Sequence, residues 1–96
     1  MNKYEKLKRK IEKIDERLDN IVLHNENANE YKKRYKKYIG EILEAIDKQM
    51  IPQSNGALLG LMRGISDYEE LCSDKKLMKL TYEADKYYSC ECKTWD

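Results

Sequence analysis

Six apolar residues, Tyr4, Leu7, Ile11, Ile14, Leu18 and Ile21, recur at intervals of three, four, three, four and three. On a helix that spacing places all six on one narrow stripe. A strand cannot present them together, because its side chains alternate from face to face. Between them the chain is charged, with Lys8, Lys13 and Arg17 set among Glu12, Asp15, Glu16 and Asp19, as a solvated outer face requires. A charged helix with one greasy edge must lay that edge against another helix of the chain or against a second copy.

A second stripe follows the Asn-rich segment His24 to Asn29. Ala28, Tyr31, Tyr35, Tyr38, Ile42 and Ala45 repeat the spacing, and Ile39, Leu43, Ile46 and Met50 widen it. Asn27 with Glu30 three residues on resembles a capping box, which would start a new helix there. The pattern predicts an antiparallel hairpin of helices over 3–23 and 28–50. Its rival is one continuous helix, since the first stripe runs on in register through Asn25, Ala28, Lys32, Tyr35, Ile39, Ile42 and Ile46. Such a rod would be about 70 Å long at ~1.5 Å per residue and would demand a coiled-coil dimer.

Pro52, followed by Gln53, Ser54, Asn55 and Gly56, ends the second helix. The apolar run Ala57 to Ile65 reads as a short helix that stops near Gly64, and Ser66 with Glu69 suggests another starting. Ser73 or Asp74 can cap a last helix whose apolar face holds Leu77, Leu80, Ala84 and Tyr87, with Met78 and Tyr88 beside it. The expected fold is all-α: a small bundle of four to five helices built on the long hairpin. Residues 1–96 form a single domain in this reading, with the hairpin over 3–50, shorter helices over 54–89 and a tail over 90–96.

Charge and cysteine usage narrow the function classes. Nineteen basic residues against eighteen acidic ones give a net charge of +1, so no global field draws the chain to nucleic acid or to an anionic membrane. No apolar run of spanning length and no secretory signal is evident, which leads to the expectation of a cytoplasmic protein without a membrane partner. Cys72, Cys90 and Cys92 are then expected as thiols. Lysine-, isoleucine- and asparagine-rich usage resembles that of low-GC bacteria and their phages.

Three features could carry function. Gly56, Gly60 and Gly64, four apart, would line up on a helix as a groove free of side chains. Each interior glycine costs about 1 kcal/mol relative to alanine, so a closely crossing helix or a partner should offset it; otherwise Gly56 is a turn residue and Gly64 a helix stop. If the groove takes a partner, Gly60, Met62, Arg63 and Gly64 are the candidate contacts, with Leu58, Leu59 and Leu61 around them.

The second feature is the run 31–38, where Lys32, Lys33, Arg34, Lys36 and Lys37 are interleaved with Tyr31, Tyr35 and Tyr38. Ammonium groups neutralise phosphates and aromatic rings stack on bases, so these five cations, joined by Lys3, Lys6, Lys8, Arg9, Lys10 and Lys13, are the candidate anion-binding residues. The tyrosines share the packing stripe and are expected inside. The third is Cys72, Cys90 and Cys92 with His24, a donor inventory that zinc would accept. Its Cys-x-Cys spacing is not that of a zinc knuckle, and no metal or other cofactor is expected.

Catalytic signatures are missing: there is one histidine, no phosphate-cradling loop and no metalloprotease helix. Neighbouring carboxylates at Glu41, Glu44 and Asp47, and at Glu69 and Glu70, read as solubilising charge beside lysines. The expectation is therefore a non-enzymatic, stoichiometric binding protein with a protein partner: an inhibitor, immunity factor or regulatory adaptor, of mobile-element or phage flavour, with a homodimer along the 4–21 stripe as one possible assembly. The alternative is a nucleic-acid or nucleotide (anion) binding module using the basic faces at 31–38 and 3–13.

Overall fold

In the computed structural model, which describes residues 3–48, 60–66 and 68–91, the chain is an all-α bundle. Its helices are α1 (Lys3–Asn20), α2 (Glu26–Asp47), α3 (Leu61–Ser66), α4 (Glu69–Cys72) and α5 (Lys75–Glu91).

The chain between α1 and α2 decides between hairpin and rod. Asn25 takes an extended conformation, φ −86° and ψ 125°, and its side chain accepts the N–H groups of Asn27 at 2.8 Å and Ala28 at 3.3 Å. One residue in that conformation ends any continuous helix. The carboxylate of Glu70, arriving from α4, accepts the N–H groups of His24 at 2.8 Å and Asn25 at 3.1 Å. The hairpin forms and the rod does not. The cap is Asn25 rather than Asn27, and α2 begins two residues earlier than the Asn27–Glu30 pair suggests.

Ion pairs fix the directions. Lys8 of α1 meets Asp47 at the far end of α2 at 2.7 Å, and Lys36 reaches back to Asp15 and Asp19, so α1 and α2 run antiparallel. Arg17 forks onto Asp74 at 2.6 and 3.2 Å, while Lys10 lies 5.4 Å from the ring centre of Tyr87, so α5 is antiparallel to α1 as well. Asp74 also caps α5 by accepting the N–H of Leu77 at 2.8 Å. Helix α1 is thus flanked by α2 and α5, and it packs more extensively on α5. Its stripe Tyr4, Leu7, Ile11, Ile14 and Leu18 is buried, and each such side chain contributes about 1.5–3 kcal/mol. The edge that a dimer would have used is covered within the chain.

Two faces are rotated from the sequence expectation. On α2 the buried residues are Ala28, Tyr35, Ile39, Ile42 and Ile46, whereas Tyr31 is half-buried and Tyr38 is 42% exposed. At 100° per residue Tyr38 lies about 80° away from the line through Ala28 and Ile46, too far round to enter the interface. On α5 the buried set is Leu77, Thr81, Ala84, Asp85 and Tyr88; Leu80 and Tyr87 sit at its margin. The rotation brings in two polar side chains. Thr81 turns its hydroxyl onto the Met78 carbonyl one turn back, at 2.9 Å, and Asp85 finds its partners on α3.

Candidate functional site

Helix α3 is only six residues long, below the length at which a helix is stable on its own, so its neighbours must hold it. Asp85, 4% exposed, aims its carboxylate from α5 at the start of α3 and accepts the N–H groups of Leu61 at 3.1 Å and Met62 at 3.0 Å. These N–H groups have no acceptor within a helix, and an anion complements the positive end of the helix dipole. Asp85 is thus a capping residue supplied from another helix.

From α2, the Tyr35 hydroxyl donates to the Leu61 carbonyl at 2.7 Å, and the Tyr31 hydroxyl donates to the Gly64 carbonyl. Burial pushes the Tyr35 hydroxyl well above the ordinary tyrosine range, and the nearby Asp85 charge adds to the rise, so Tyr35 stays a donor. Tyr31 stacks on Tyr68 with ring centres 4.3 Å apart, and the Arg34 guanidinium lies 5.9 Å from the Tyr31 ring centre.

The two candidate glycines have different tasks. Gly60 precedes α3 with φ +79°, a conformation that glycine adopts without strain. It is therefore not a helical residue, and no glycine ridge runs along one helix through Gly60 and Gly64; Gly56, Leu58 and Leu59 lie outside the described residues. Gly64 sits inside α3, where a β-carbon would come within 3.0 Å of the Tyr35 ring. It is the site of a close approach rather than a helix stop.

Pinned in this way, α3 leaves a cleft on each flank. Between α3 and α5 lies a groove of about 560 Å³ lined by Gly60, Met62, Arg63, Ser66, Met78, Tyr82, Asp85, Lys86 and Ser89. Met62, 36% exposed, and Tyr82, 50% exposed, are among the most exposed large apolar side chains described. The Asp85 carboxylate is turned to the α3 backbone, and among the described residues Arg63 and Lys86 make no ion pair. Lys86 lies 5.9 Å from the Tyr82 ring centre. The groove is mostly apolar, and its described lining includes two cations, Arg63 and Lys86.

Between α3 and α2 lies a smaller cleft of about 390 Å³, lined by Tyr31, Arg34, Tyr35, Tyr38, Gly60 and Gly64. The sequence candidates Gly60, Met62, Arg63 and Gly64 therefore surround one element, with Met62 and Arg63 on the larger groove, Gly64 on the smaller and Gly60 at both. Tyr82, Lys86 and Ser89 carry no mark in the sequence, and Met78 is expected there only beside the packing face of the last helix. Their signal is visible in retrospect: α5 carries more large apolar residues than one buried face can hold, and Met78 and Tyr82 are the surplus.

The anion candidates are divided. Lys36 is held by Asp15 and Asp19, Lys8 by Asp47, and Lys10 lies over Tyr87. Lys32, Lys33, Arg34 and Lys37 make no ion pair among the described residues. Neighbouring carboxylates have structural work: Glu44 pairs with Lys48 at 2.7 Å, Asp47 with Lys8, and Glu70 binds the α1–α2 turn. Of the zinc inventory, His24 sits in that turn, Cys72 lies on α4 with its thiol 3.7 Å from the Glu69 carbonyl, Cys90 is exposed on α5, and Cys92 lies outside the described residues. No group of three His, Cys, Asp or Glu side chains converges among the described residues, and no described helix is long and apolar enough to cross a membrane.

No family model, curated protein or solved structure matches the chain. The functional reading rests on its own geometry.

Proposed function

We propose that the chain is a stoichiometric protein-binding module, an inhibitor, immunity factor or regulatory adaptor, whose larger partner seats a segment in the groove between α3 and α5. The observation that carries this reading is the exposure of Met62, Tyr82 and their neighbours along a groove built from two helices that Asp85 locks together. The volume of about 560 Å³ falls in the usual range of binding clefts, about 300–1,000 Å³. Methionine and tyrosine are the residue types that recur at such contacts, one for its adaptable shape and the other for its rigid amphipathic ring. Binding is favoured over catalysis because three of the five carboxylates that sequence places side by side, Glu44, Asp47 and Glu70, are engaged in ion pairs or in holding the α1–α2 turn.

The test is a photo-crosslinking amino acid at Tyr82, with Lys33 as control position, in cells that naturally contain the chain. A discrete one-to-one adduct with a protein is expected from position 82 alone, and Met62→Glu should remove it while leaving the helical circular dichroism intact. An adduct formed equally from both positions, or one untouched by Met62→Glu, rules the groove out.

A second reading keeps Lys32, Lys33, Arg34 and Lys37 of α2, which make no ion pair among the described residues, as an anion site for nucleic acid or a nucleotide. It predicts retention on a polyanion column with steep salt dependence, lost when Lys32, Lys33, Arg34 and Lys37 are changed to Glu.

A further inference from the structure

The charge around the α3–α5 groove points to the kind of segment that fills it. On α5, Met78, Tyr82, Lys86 and Ser89 follow one another at intervals of four, four and three, so they form a single ridge about 16 Å long at ~1.5 Å per residue. Opposite them α3 offers Met62 and Arg63. A short helix laid along this ridge for three turns would place apolar anchors against Met62, Met78 and Tyr82, the spacing by which helices seat in grooves.

Cations outnumber carboxylates two to one among the described lining residues. Asp85 is the one carboxylate among the described lining residues, and its two oxygens accept the N–H groups of Leu61 and Met62. Arg63 and Lys86 make no ion pair among the described residues. A basic occupant would bring like charges together at Arg63 and Lys86, and a neutral one would leave both cations without counter-charge, whereas an acidic one complements them.

We propose, resting on the protein-binding reading above, that the occupant is an acidic amphipathic helix of the partner protein, with an apolar stripe for the groove and carboxylates placed to meet Arg63 and Lys86. Charge complementarity of this kind sets the choice of partner and the rate of encounter more than the total affinity.

The test uses three synthetic helix-forming peptides of sixteen residues: one with leucines at positions i, i+4, i+7 and i+11 flanked by glutamates, one with every glutamate replaced by lysine, and one acidic peptide with the leucine order scrambled. Methyl-labelled Met62 and Met78 report directly on the groove by NMR. The glutamate peptide should shift both methyl signals and bind about tenfold more tightly than the lysine peptide at low ionic strength, an advantage that salt erodes. In the double variant Arg63→Glu, Lys86→Glu the preference should invert.

If the lysine peptide binds as well with the same methyl shifts, the groove stands and its acidic occupant falls. Equal binding by the scrambled acidic peptide removes the helical occupant, leaving charge alone. If no peptide moves either methyl, this proposal falls while the crosslink at position 82 still decides whether the groove binds protein. Concentration-dependent shifts without peptide assign the groove to a second copy of the chain and overturn the proposal too.

Discussion

Replacing Asp85 with alanine tests the device on which the groove depends. Its carboxylate accepts two backbone N–H groups, at 3.1 Å from Leu61 and 3.0 Å from Met62, and hydrogen bonds to a charged acceptor contribute about 1.5–3 kcal/mol each. The two losses are unequal. Leu61 is fully buried, so its N–H is left in the interior without an acceptor, at a cost of about 1–3 kcal/mol. Met62 is at the surface, and water can take over its N–H. Removing a buried carboxylate also relieves part of its own desolvation. The net destabilisation should be about 2–3 kcal/mol, a large share of the roughly 5–15 kcal/mol that holds a small domain together. At ~4–8 °C per kcal/mol for a chain of this size, the melting temperature should fall by roughly 10–20 °C. Asp85→Asn, which keeps one acceptor oxygen, should lose about half as much. Urea unfolding followed by circular dichroism gives the free energies, and amide hydrogen exchange at residues 61 and 62 gives their location. A loss under about 0.5 kcal/mol in Asp85→Ala, with unaltered exchange at both amides, would refute the assignment of Asp85 as the cap of α3.

Two further outcomes follow from the same geometry. Gly64→Ala should destabilise by about 1 kcal/mol, because the overpacking cost of about 1–3 kcal/mol against a Tyr35 ring fixed at its hydroxyl exceeds the ~1 kcal/mol gained in helix propensity; a more stable Gly64→Ala protein in urea melts would contradict the close approach. Asp74 is held below the usual carboxylate range first by its hydrogen bond from Arg17, with the Leu77 N–H helping. Its folded pKa lies under its unfolded one, so its contribution is present above the unfolded value near 4 and disappears as pH falls through the folded value. Acid titration of stability should therefore show a limb below about pH 4 that is shallower in Asp74→Asn, and an unchanged limb in that variant would place the acid sensitivity elsewhere.

The first helix was legible in detail because one narrow stripe suffices for a helix flanked by two others: five of the six residues marked from spacing, Tyr4 to Leu18, are buried. The second was legible as a helix but not as a face. Tyr31, Tyr35 and Tyr38 fit the three-four rhythm, yet only Tyr35 is buried, because the interface follows a line through Ala28, Ile39 and Ile46 that the rhythm drifts away from. Around α3 the signal weakens further. A six-residue helix has too few turns for periodicity, and Gly60 looks the same in sequence whether it is helical or at φ +79°. Asp85 was out of reach, since its partners are backbone groups more than twenty residues away and no pattern of side chains marks an acceptor for them. The surface candidates Met62 and Arg63 were found through local composition alone, and their companions on α5 only through the fold.

The helix nearest the start of the described chain leans mainly on the one nearest its end, and the Arg17–Asp74 fork joins positions 57 residues apart. During synthesis the greasy edge of α1 can be half covered by α2 as soon as that helix emerges, but its other flank stays bare until α5 has left the ribosome. Assembly is consequently a late, collective event rather than a hairpin that grows outward, and contacts of such long separation slow folding relative to a purely local bundle. A chain cut short before α5 would keep its helical pattern yet leave the α5-facing flank of α1 open to water, with α3 deprived of the carboxylate that anchors it.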